Sequence, residues 1–165
     1  MFLLDTPVIL ELRGAKSDRA DTGVRTWAAG IPRQQLFISA LTLVELEESV
    51  MRLERTDKAG GALARAWLDD RVMVAFEGRI LPVDAAVARK RPSVALADNR
   101  DALVAATALV HGLTIVTPNP AAYRAGRLKS FNPWGYAGET VEDIADWRQA
   151  TKTSPVWLKN LFLRF

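Results

Sequence analysis

Three short apolar runs constrain the fold of this chain more than any other feature. They span residues 2–4 (FLL), 35–39 (QLFIS) and 113–117 (LTIVT), and none alternates apolar and polar side chains along its length. A strand with one face in water needs that alternation, whereas a strand buried on both faces does not. We therefore expect a parallel sheet with both faces covered by helices.

The segments between these runs have helical periodicity. Residues 41–55 (LTLVELEESVMRLER) place apolar side chains on one helical face, and Ser39 precedes them as a candidate N-cap. Further helices are predicted at 8–13, at 18–29, at 62–76 after a break at Gly60 and Gly61, and from Asp98 to Gly112, with another strand at 79–84. This β-α-β-α order predicts an α/β fold with a central parallel sheet flanked by helices.

The composition limits the available chemistry. The 165 residues, 49% of them hydrophobic, are enough for a sizeable core in one domain. There is no cysteine, and the first 14 residues lack the basic start and small-residue cleavage site of a signal peptide, so a cytoplasmic protein without a membrane segment is expected. The single histidine, His111, excludes a histidine-rich zinc site and disfavours a Ser-His-Asp triad. Any catalysis should depend on carboxylates.

Several acids fall where an α/β sheet places its chemistry, just beyond the carboxyl ends of the strands. Asp5 ends the first strand, Glu45 lies in the helix after the second, and Asp101 lies in the first turn of the helix before residues 113–117. Converging carboxylates repel one another unless a divalent cation neutralises them, and hard oxygen ligands select Mg²⁺ or Mn²⁺. Singly, each has a simpler interpretation: Asp5 as an N-cap, Glu45 on a solvated helix face, Asp101 facing a helix dipole.

Four stretches together resemble the PIN-domain ribonucleases, and within them the VapC and FitB toxins, which are also known as plasmid-stability proteins. They are "LLDTPVILEL" near the start, "ISALTLVELEESV" at 38–50, "ADNRDALVAATALVHGLTIVTPN" at 97–119 and "FNPW" at 131–134. The resemblance spans roughly residues 2 to 134 in order, and the block at 97–119 is the most specific part of it.

The resemblance implies a three-layer PIN fold, Mg²⁺- or Mn²⁺-dependent cleavage of structured RNA such as tRNA, a homodimer, and neutralisation by a VapB-type antitoxin. Carried over to this chain, the family's three acids fall on Asp5, Glu45 and Asp101 as catalytic residues and metal ligands. The polar residues around them fall on Thr6, Thr117 and Asn119, which would bind and orient the carboxylates.

The chain departs from the family pattern at the active site. Pro7 replaces an asparagine, and the usual TRNxxDF reads TPNPAAY, so that Ala122 stands where the fourth acid is expected. Asp98 precedes Asp101 by three residues and is either a substitute metal ligand or the N-cap of its helix. The alternative function is therefore a catalytically degraded PIN domain that acts by binding RNA or an antitoxin.

Basic residues are concentrated between residues 79 and 129, with eight Lys and Arg against three acids. This local excess suits a polyanion, although a solvated basic face explains it equally well. The residues proposed to contact an RNA backbone are Arg89, Lys90, Arg91, Arg124, Arg127 and Lys129.

The last segment extends beyond the resemblance. We expect a PIN domain at 1–136 and a C-terminal helical extension at 137–165, where ETVEDIADWRQA and SPVWLKNLFLRF have helical patterns. One interpretation is a helix docked on the domain or on a dimer partner. The other is an antitoxin-like cover that brings Lys159 or Arg164 to the acidic site.

Overall fold

The structure, a computed structural model, describes residues 1–14 and 21–137. Within these ranges five short strands form one sheet in the order β3-β2-β1-β4-β5, and every neighbouring pair is parallel. The strands are β1 Phe2–Leu4, β2 Leu36–Ser39, β3 Ile80–Leu81, β4 Thr114–Val116 and β5 Ser130–Phe131. The predicted parallel sheet is confirmed, with β1 at its centre. The two-residue β5 is an addition, since so short a strand has no periodicity to detect.

Seven α-helices surround the sheet in the described residues. They are α1 Thr6–Arg13, α2 Thr22–Gly30, α3 Ala40–Thr56, α4 Lys58–Trp67, α5 Ala85–Lys90, α6 Asn99–His111 and α7 Pro120–Tyr123. A π-helical segment, Leu68–Met73, follows α4 directly. The predicted α/β fold with a central parallel sheet flanked by helices is thus confirmed for this part of the chain.

The core is divided by the sheet into two apolar clusters. In β1, Leu3 belongs to one cluster and Leu4 to the other, and both side chains are completely buried. In β4, Ile115 and Val116 divide in the same way. Successive side chains of a strand point to opposite faces, so unalternating apolar runs are required when both faces are covered. This explains the runs from which the fold was predicted.

The helical hairpin differs from its prediction in one respect. The break was expected at Gly60 and Gly61, but α3 ends at Thr56, α4 begins at Lys58, and Asp57 lies between them. The Asp57 side chain accepts a hydrogen bond of 3.0 Å from the Gly60 backbone nitrogen and so caps α4. A Cβ on Gly61 would lie 2.5 Å from the Cα of Glu54, so this glycine allows α3 and α4 to approach closely instead of ending a helix.

The ends of the helices around the sheet follow the predicted signals. Asp98 caps α6, and Gly112 ends it with a left-handed φ of 64°. Asp5 caps α1, which begins at Thr6, and Pro7 lies in its first turn. These caps fix the directions in which both helices leave the sheet.

Two predictions concern residues outside the described ranges. The proposed extension lies at 137–165, of which only residue 137 is described, and the predicted start of the second helix at residue 18 lies in the gap before residue 21. In residues 1–14 and 21–137, no helix is both long and apolar enough to span a membrane.

Candidate active site

Asp5 lies at the carboxyl edge of the sheet, directly after the central strand β1 and beside β4. Its backbone nitrogen donates to the Val116 carbonyl over 3.0 Å, which continues the pairing of β1 with β4. Its Oδ1 accepts from the Thr6 backbone nitrogen at 2.9 Å, and its Oδ2 accepts from the Thr117 hydroxyl at 2.8 Å. Strand, helix cap and hydroxyl together fix the orientation of this carboxylate.

Glu45 joins the same site from α3 through Thr6. The buried Thr6 hydroxyl donates to the Glu45 carboxylate. The start of α3 is fixed by Ser39, whose hydroxyl oxygen accepts from the backbone nitrogens of Leu41 and Thr42 at 3.0 and 3.2 Å. The capped helix therefore presents Glu45 to Thr6, which directly follows Asp5.

Asp101 enters from the first turn of α6. Its backbone nitrogen donates to Asp98 Oδ1 over 2.9 Å, so Asp98 acts here as the N-cap of the helix. The Asp101 carboxylate is half-buried and lies near Tyr123. The buried Tyr123 lies close enough to these acids for the charges of Asp5 and Asp101 to raise its pKa.

Tyr123 is the site residue that sequence reasoning missed. It follows Ala122 directly, at the position where the family pattern TRNxxDF has phenylalanine. The signal in the sequence was a tyrosine in place of phenylalanine, next to Ala122, where the fourth acid is absent.

The pKa values of Asp5, Asp101 and Tyr123 are all raised, by burial and by the charges of neighbouring acids. Burial raises the pKa of Asp5 most; the hydrogen bonds from Thr117 and Thr6 oppose this rise, and the charges of Glu45 and Asp101 add to it. Burial also raises the pKa of Asp101, followed by the charges of Asp98 and Glu45, while the Tyr123 hydrogen bond lowers it. The pKa of Tyr123 is raised strongly, by burial first and then by the charges of Asp5, Asp101 and Glu45.

The charges of Glu45 and Asp101 both act on Asp5, so the three predicted acids lie in one site. The predicted polar residues contact these acids or one another. Thr6 and Thr117 are buried and donate to Glu45 and Asp5, respectively. Asn119 contributes its backbone nitrogen, which donates to the Thr117 hydroxyl oxygen over 3.2 Å. This places Asn119 one step from the Asp5 carboxylate.

The fit of a divalent cation rests on the chemistry of these donors. Among residues 1–14 and 21–137, no three acidic or histidine side chains are arranged as a ready metal-binding group. The charges of Glu45 and Asp101 nevertheless raise the pKa of Asp5, the charge of Glu45 also raises that of Asp101, and a cation would relieve this repulsion. Hard oxygen donors of this type suit Mg²⁺ or Mn²⁺.

The basic residues predicted to contact RNA lie on both sides of the segment that contains α6 and β4. Arg89 and Lys90 are exposed in the last turn of α5. Arg91 is half-buried and donates to Asn99 Oδ1 over 2.9 Å as well as to two backbone carbonyls, so it stabilises the loop before α6. The exposed residues Arg124, Arg127 and Lys129 follow α7.

The protein combines a parallel α/β sheet with a group of acids at the carboxyl end of its central strand, and this combination defines a class of protein. The family model described as "PIN domain" matches residues 2–128. The chain belongs to the PIN domain family.

Named relatives and a solved structure agree with this assignment. The chain is 30% identical over 142 residues to "VapC ribonuclease Y4jK" of Sinorhizobium fredii, covering 81% of this chain and 98% of the relative. It is 34% identical over 143 residues to "Toxin FitB" of Neisseria gonorrhoeae, covering 81% and 99%. The crystal structure of FitAcB from Neisseria gonorrhoeae superimposes with a TM-score of 0.74 at 30% identity, over 81% of this chain and 99% of that one.

Proposed function

We propose that this chain is an endoribonuclease toxin of the VapC type that uses a divalent cation. The observation that carries the proposal is the convergence of Asp5 and Glu45 on Thr6 at the carboxyl end of β1, with Asp101 near enough to raise the pKa of Asp5. Relatives named ribonuclease and toxin support nuclease activity in general. The proposal includes dependence on Mg²⁺ or Mn²⁺ and structured RNA as the substrate.

Each polar residue has a definite task in this mechanism. Asp5, Glu45 and Asp101 would bind the cation, which supplies a Lewis acid for the scissile phosphate and makes water a better nucleophile. Thr117 and the Thr6 backbone hold the Asp5 carboxylate in place, and the Thr6 hydroxyl holds Glu45. The Asn119 backbone nitrogen orients Thr117.

Asp98 is the remaining candidate ligand. Its Oδ1 is used by the N-cap hydrogen bond to Asp101, and its charge raises the pKa of Asp101. A carboxylate accepts through two oxygens, so a cap through Oδ1 leaves Oδ2 for a second, weaker cation. On this proposal Asp98 partly replaces the acid that is absent at Ala122.

The proposed substrate is structured RNA such as tRNA, bound mainly through its phosphates. Arg89, Lys90, Arg124, Arg127 and Lys129 are exposed and would contact the backbone, while Arg91 would act through the loop that it stabilises. Contacts of this kind make affinity fall with salt and add little sequence choice.

The proposed partners follow from the relatives. Structural neighbours of this chain are toxin–antitoxin complexes of the FitAB and VapBC types. We therefore propose neutralisation by a VapB-type antitoxin, a homodimer as the working form, and action in the cytoplasm. We also propose that residues 1–136 form the catalytic domain and that 137–165 add a helical extension.

A direct test uses the full-length protein and an end-labelled tRNA. Cleavage is expected with MgCl₂ or MnCl₂ and should disappear with EDTA, and addition of excess Mn²⁺ should restore it. Cleavage that persists in EDTA would contradict the metal-dependent mechanism.

The second candidate is a PIN domain that binds RNA without cleaving it. Ala122 in place of the fourth acid is the observation that favours it. Gel-shift binding of the same RNA without cleavage at any Mg²⁺ or Mn²⁺ concentration would select this alternative.

A further inference from the structure

The ion pair of Glu48 and Arg100 joins the two helices that carry Glu45 and Asp101. We propose that this pair positions the site, because it holds α3 and α6 at the separation at which Glu45 and Asp101 can share one divalent cation. The inference rests on the metal-dependent function proposed above, but the pair itself requires no metal. Glu48 and Arg100 are not metal ligands on this proposal, and both act through the helices that they connect.

The contact between Glu48 and Arg100 is bidentate. Arg100 Nη1 donates to Glu48 Oε2 over 3.1 Å, and Arg100 Nη2 donates to Glu48 Oε1 over 2.8 Å. Two parallel hydrogen bonds between planar groups fix orientation as well as distance. The two residues are 52 positions apart in the chain, so the pair sets how α3 and α6 lie relative to each other.

Glu45 lies between two contacts that α3 makes toward α6. Leu41, Glu45 and Glu48 are spaced i, i+4 and i+7, which places them on one face of the helix. Leu41 packs against the apolar cluster that includes Ala102 of α6. Glu48 forms the ion pair with Arg100. An apolar contact before Glu45 and an ion pair after it therefore fix the part of α3 that presents this acid.

The start of α6 is held in a similar way around Asp101. Arg100 directly precedes Asp101 in the first turn of this helix. A basic side chain is unfavourable there, because the helix N-terminus carries partial positive charge. The Glu48 carboxylate compensates for this cost, while the Asp98 side chain accepts from the Asp101 backbone nitrogen over 2.9 Å. The turn that orients Asp101 is thus fixed by its own cap and by α3.

Repulsion gives the ion pair a task that apolar packing alone does not perform. Without a cation, the carboxylates of Glu45 and Asp101 repel each other and favour a wider separation of α3 and α6. The Glu48–Arg100 pair opposes that separation next to both acids. Its side chains are 45% and 50% exposed, so water screens the pair and its effect is modest. We expect a change of about three- to fivefold in Mn²⁺ affinity when the pair is lost.

The first test compares Arg100→Lys with Arg65→Met in the full-length protein, with Mn²⁺ binding measured by calorimetry without RNA. Arg100→Lys keeps the charge but cannot form two parallel hydrogen bonds, so a changed affinity reports geometry rather than charge. Arg65→Met removes the ion pairs that connect α3 to α4 instead of α6. We expect Arg100→Lys to weaken Mn²⁺ affinity about threefold and Arg65→Met to leave it unchanged. An unchanged affinity in Arg100→Lys would overturn the proposal.

The signs of two further variants separate positioning from direct charge effects. Charge alone predicts that Glu48→Gln weakens Mn²⁺ binding and that Arg100→Met strengthens it, since the second variant removes a positive charge near the cation. Loss of a positioning pair predicts weaker binding in both. The double variant should then be no weaker than Glu48→Gln, because the pair is already lost in the single variant. Stronger binding by Arg100→Met would mean a charge effect and would overturn the proposal.

A final test needs no metal and keeps this inference separate from the proposed function. The chain has no cysteine, so spin labels attach only to cysteines introduced at the exposed residues Met51 of α3 and Val110 of α6. In EDTA, pulsed EPR should give a wider distribution of label distances in Glu48→Gln and Arg100→Met than in wild type or Arg65→Met. An unchanged distribution would overturn the positioning role. A wider one, in a protein whose wild type binds no Mn²⁺, would refute the proposed function and leave the positioning role established.

Discussion

Helix α3 carries acids in two different environments: some form ion pairs with arginines, and one lies among other acids. Glu47 and Glu54 both bind Arg65 of α4, at 2.6 and 3.1 Å, and Glu48 binds Arg100 of α6 at 2.8 Å. Glu45, on the same helix, accepts from the Thr6 hydroxyl and lies near Asp5 and Asp101. The outer acids have guanidinium partners, whereas Glu45 belongs to a group of acids.

The pKa shifts separate these two regions. The hydrogen bond from Arg100 lowers the pKa of Glu48, and bonds to Glu54 and Glu47 raise the pKa of Arg65. At the site the shifts are reversed, since burial and neighbouring charges raise the pKa values of Asp5 and Asp101. The ion pairs of Glu47, Glu48 and Glu54 connect helices of the fold. The acids at the site have no such partners among these pairs, and their combined negative charge suits a cation.

The largest effect is expected from Asp5→Asn, with Glu47→Gln as the matched control. Both replace a carboxylate by an amide, but only the first removes charge from the acidic site. We expect tRNA cleavage in Mn²⁺ to fall by about 100-fold or more for Asp5→Asn, because a ligand of the proposed cation is lost. Circular dichroism should show both variants folded. Equal activity of the two variants would mean that the acidic site is not the catalytic one.

Ala122→Asp should increase the negative charge of the acidic site by adding a carboxylate ligand. Each added carboxylate raises the field at a bound cation, so Mn²⁺ affinity measured by calorimetry should increase by roughly tenfold. Cleavage at low Mn²⁺ should rise with it. An unchanged affinity would mean that Asp98 already serves as the additional metal ligand. The double variant Ala122→Asp with Asp98→Asn would then test whether Asp98 has that role.

The pH dependence of stability should differ between wild type and Asp5→Asn. Because folding raises the pKa of Asp5 above 3.8, its protonated form is favoured in the folded state. Its contribution is fully present below that value and is lost as pH rises through the raised folded pKa. In EDTA, the melting temperature of wild type should therefore fall more steeply above pH 4 than that of Asp5→Asn. Parallel curves would contradict the shift.

The sequence predicted the sheet better than it predicted the connections. The runs at 2–4, 35–39 and 113–117 identify strands because burial on both faces leaves a clear pattern. Gly60 and Gly61 misled the hairpin prediction because glycine also serves where two helices meet closely, which depends on a distant partner, Glu54. Close approach of this kind leaves no local signal.

The site was predictable where a residue stands at an element boundary. Asp5 and Asp98 are caps, and their positions follow from the chain alone. Arg100 was not found because its importance comes from a contact with Glu48, far away in the sequence. Tyr123 was not found because its importance comes from its burial near distant acids such as Asp5. Their residue types, an aromatic and a basic residue, are ordinary for a helix, so only the packed structure identifies them.

The smallest effect is expected for Arg65→Met, which removes ion pairs of α3 and leaves the acidic site unchanged. Arg65 binds Glu47 and Glu54 on the outer face of α3, and its side chain is one-third exposed. Water screens such pairs, so the melting temperature should fall by only about 2–4 °C, and less in high salt. Mn²⁺ affinity and cleavage should match wild type, because the change leaves Glu45 and Thr6 in place. A loss of Mn²⁺ affinity in Arg65→Met would show that the outer pairs help to form the acidic site, and the separation between stabilising and functional acids on α3 would no longer hold.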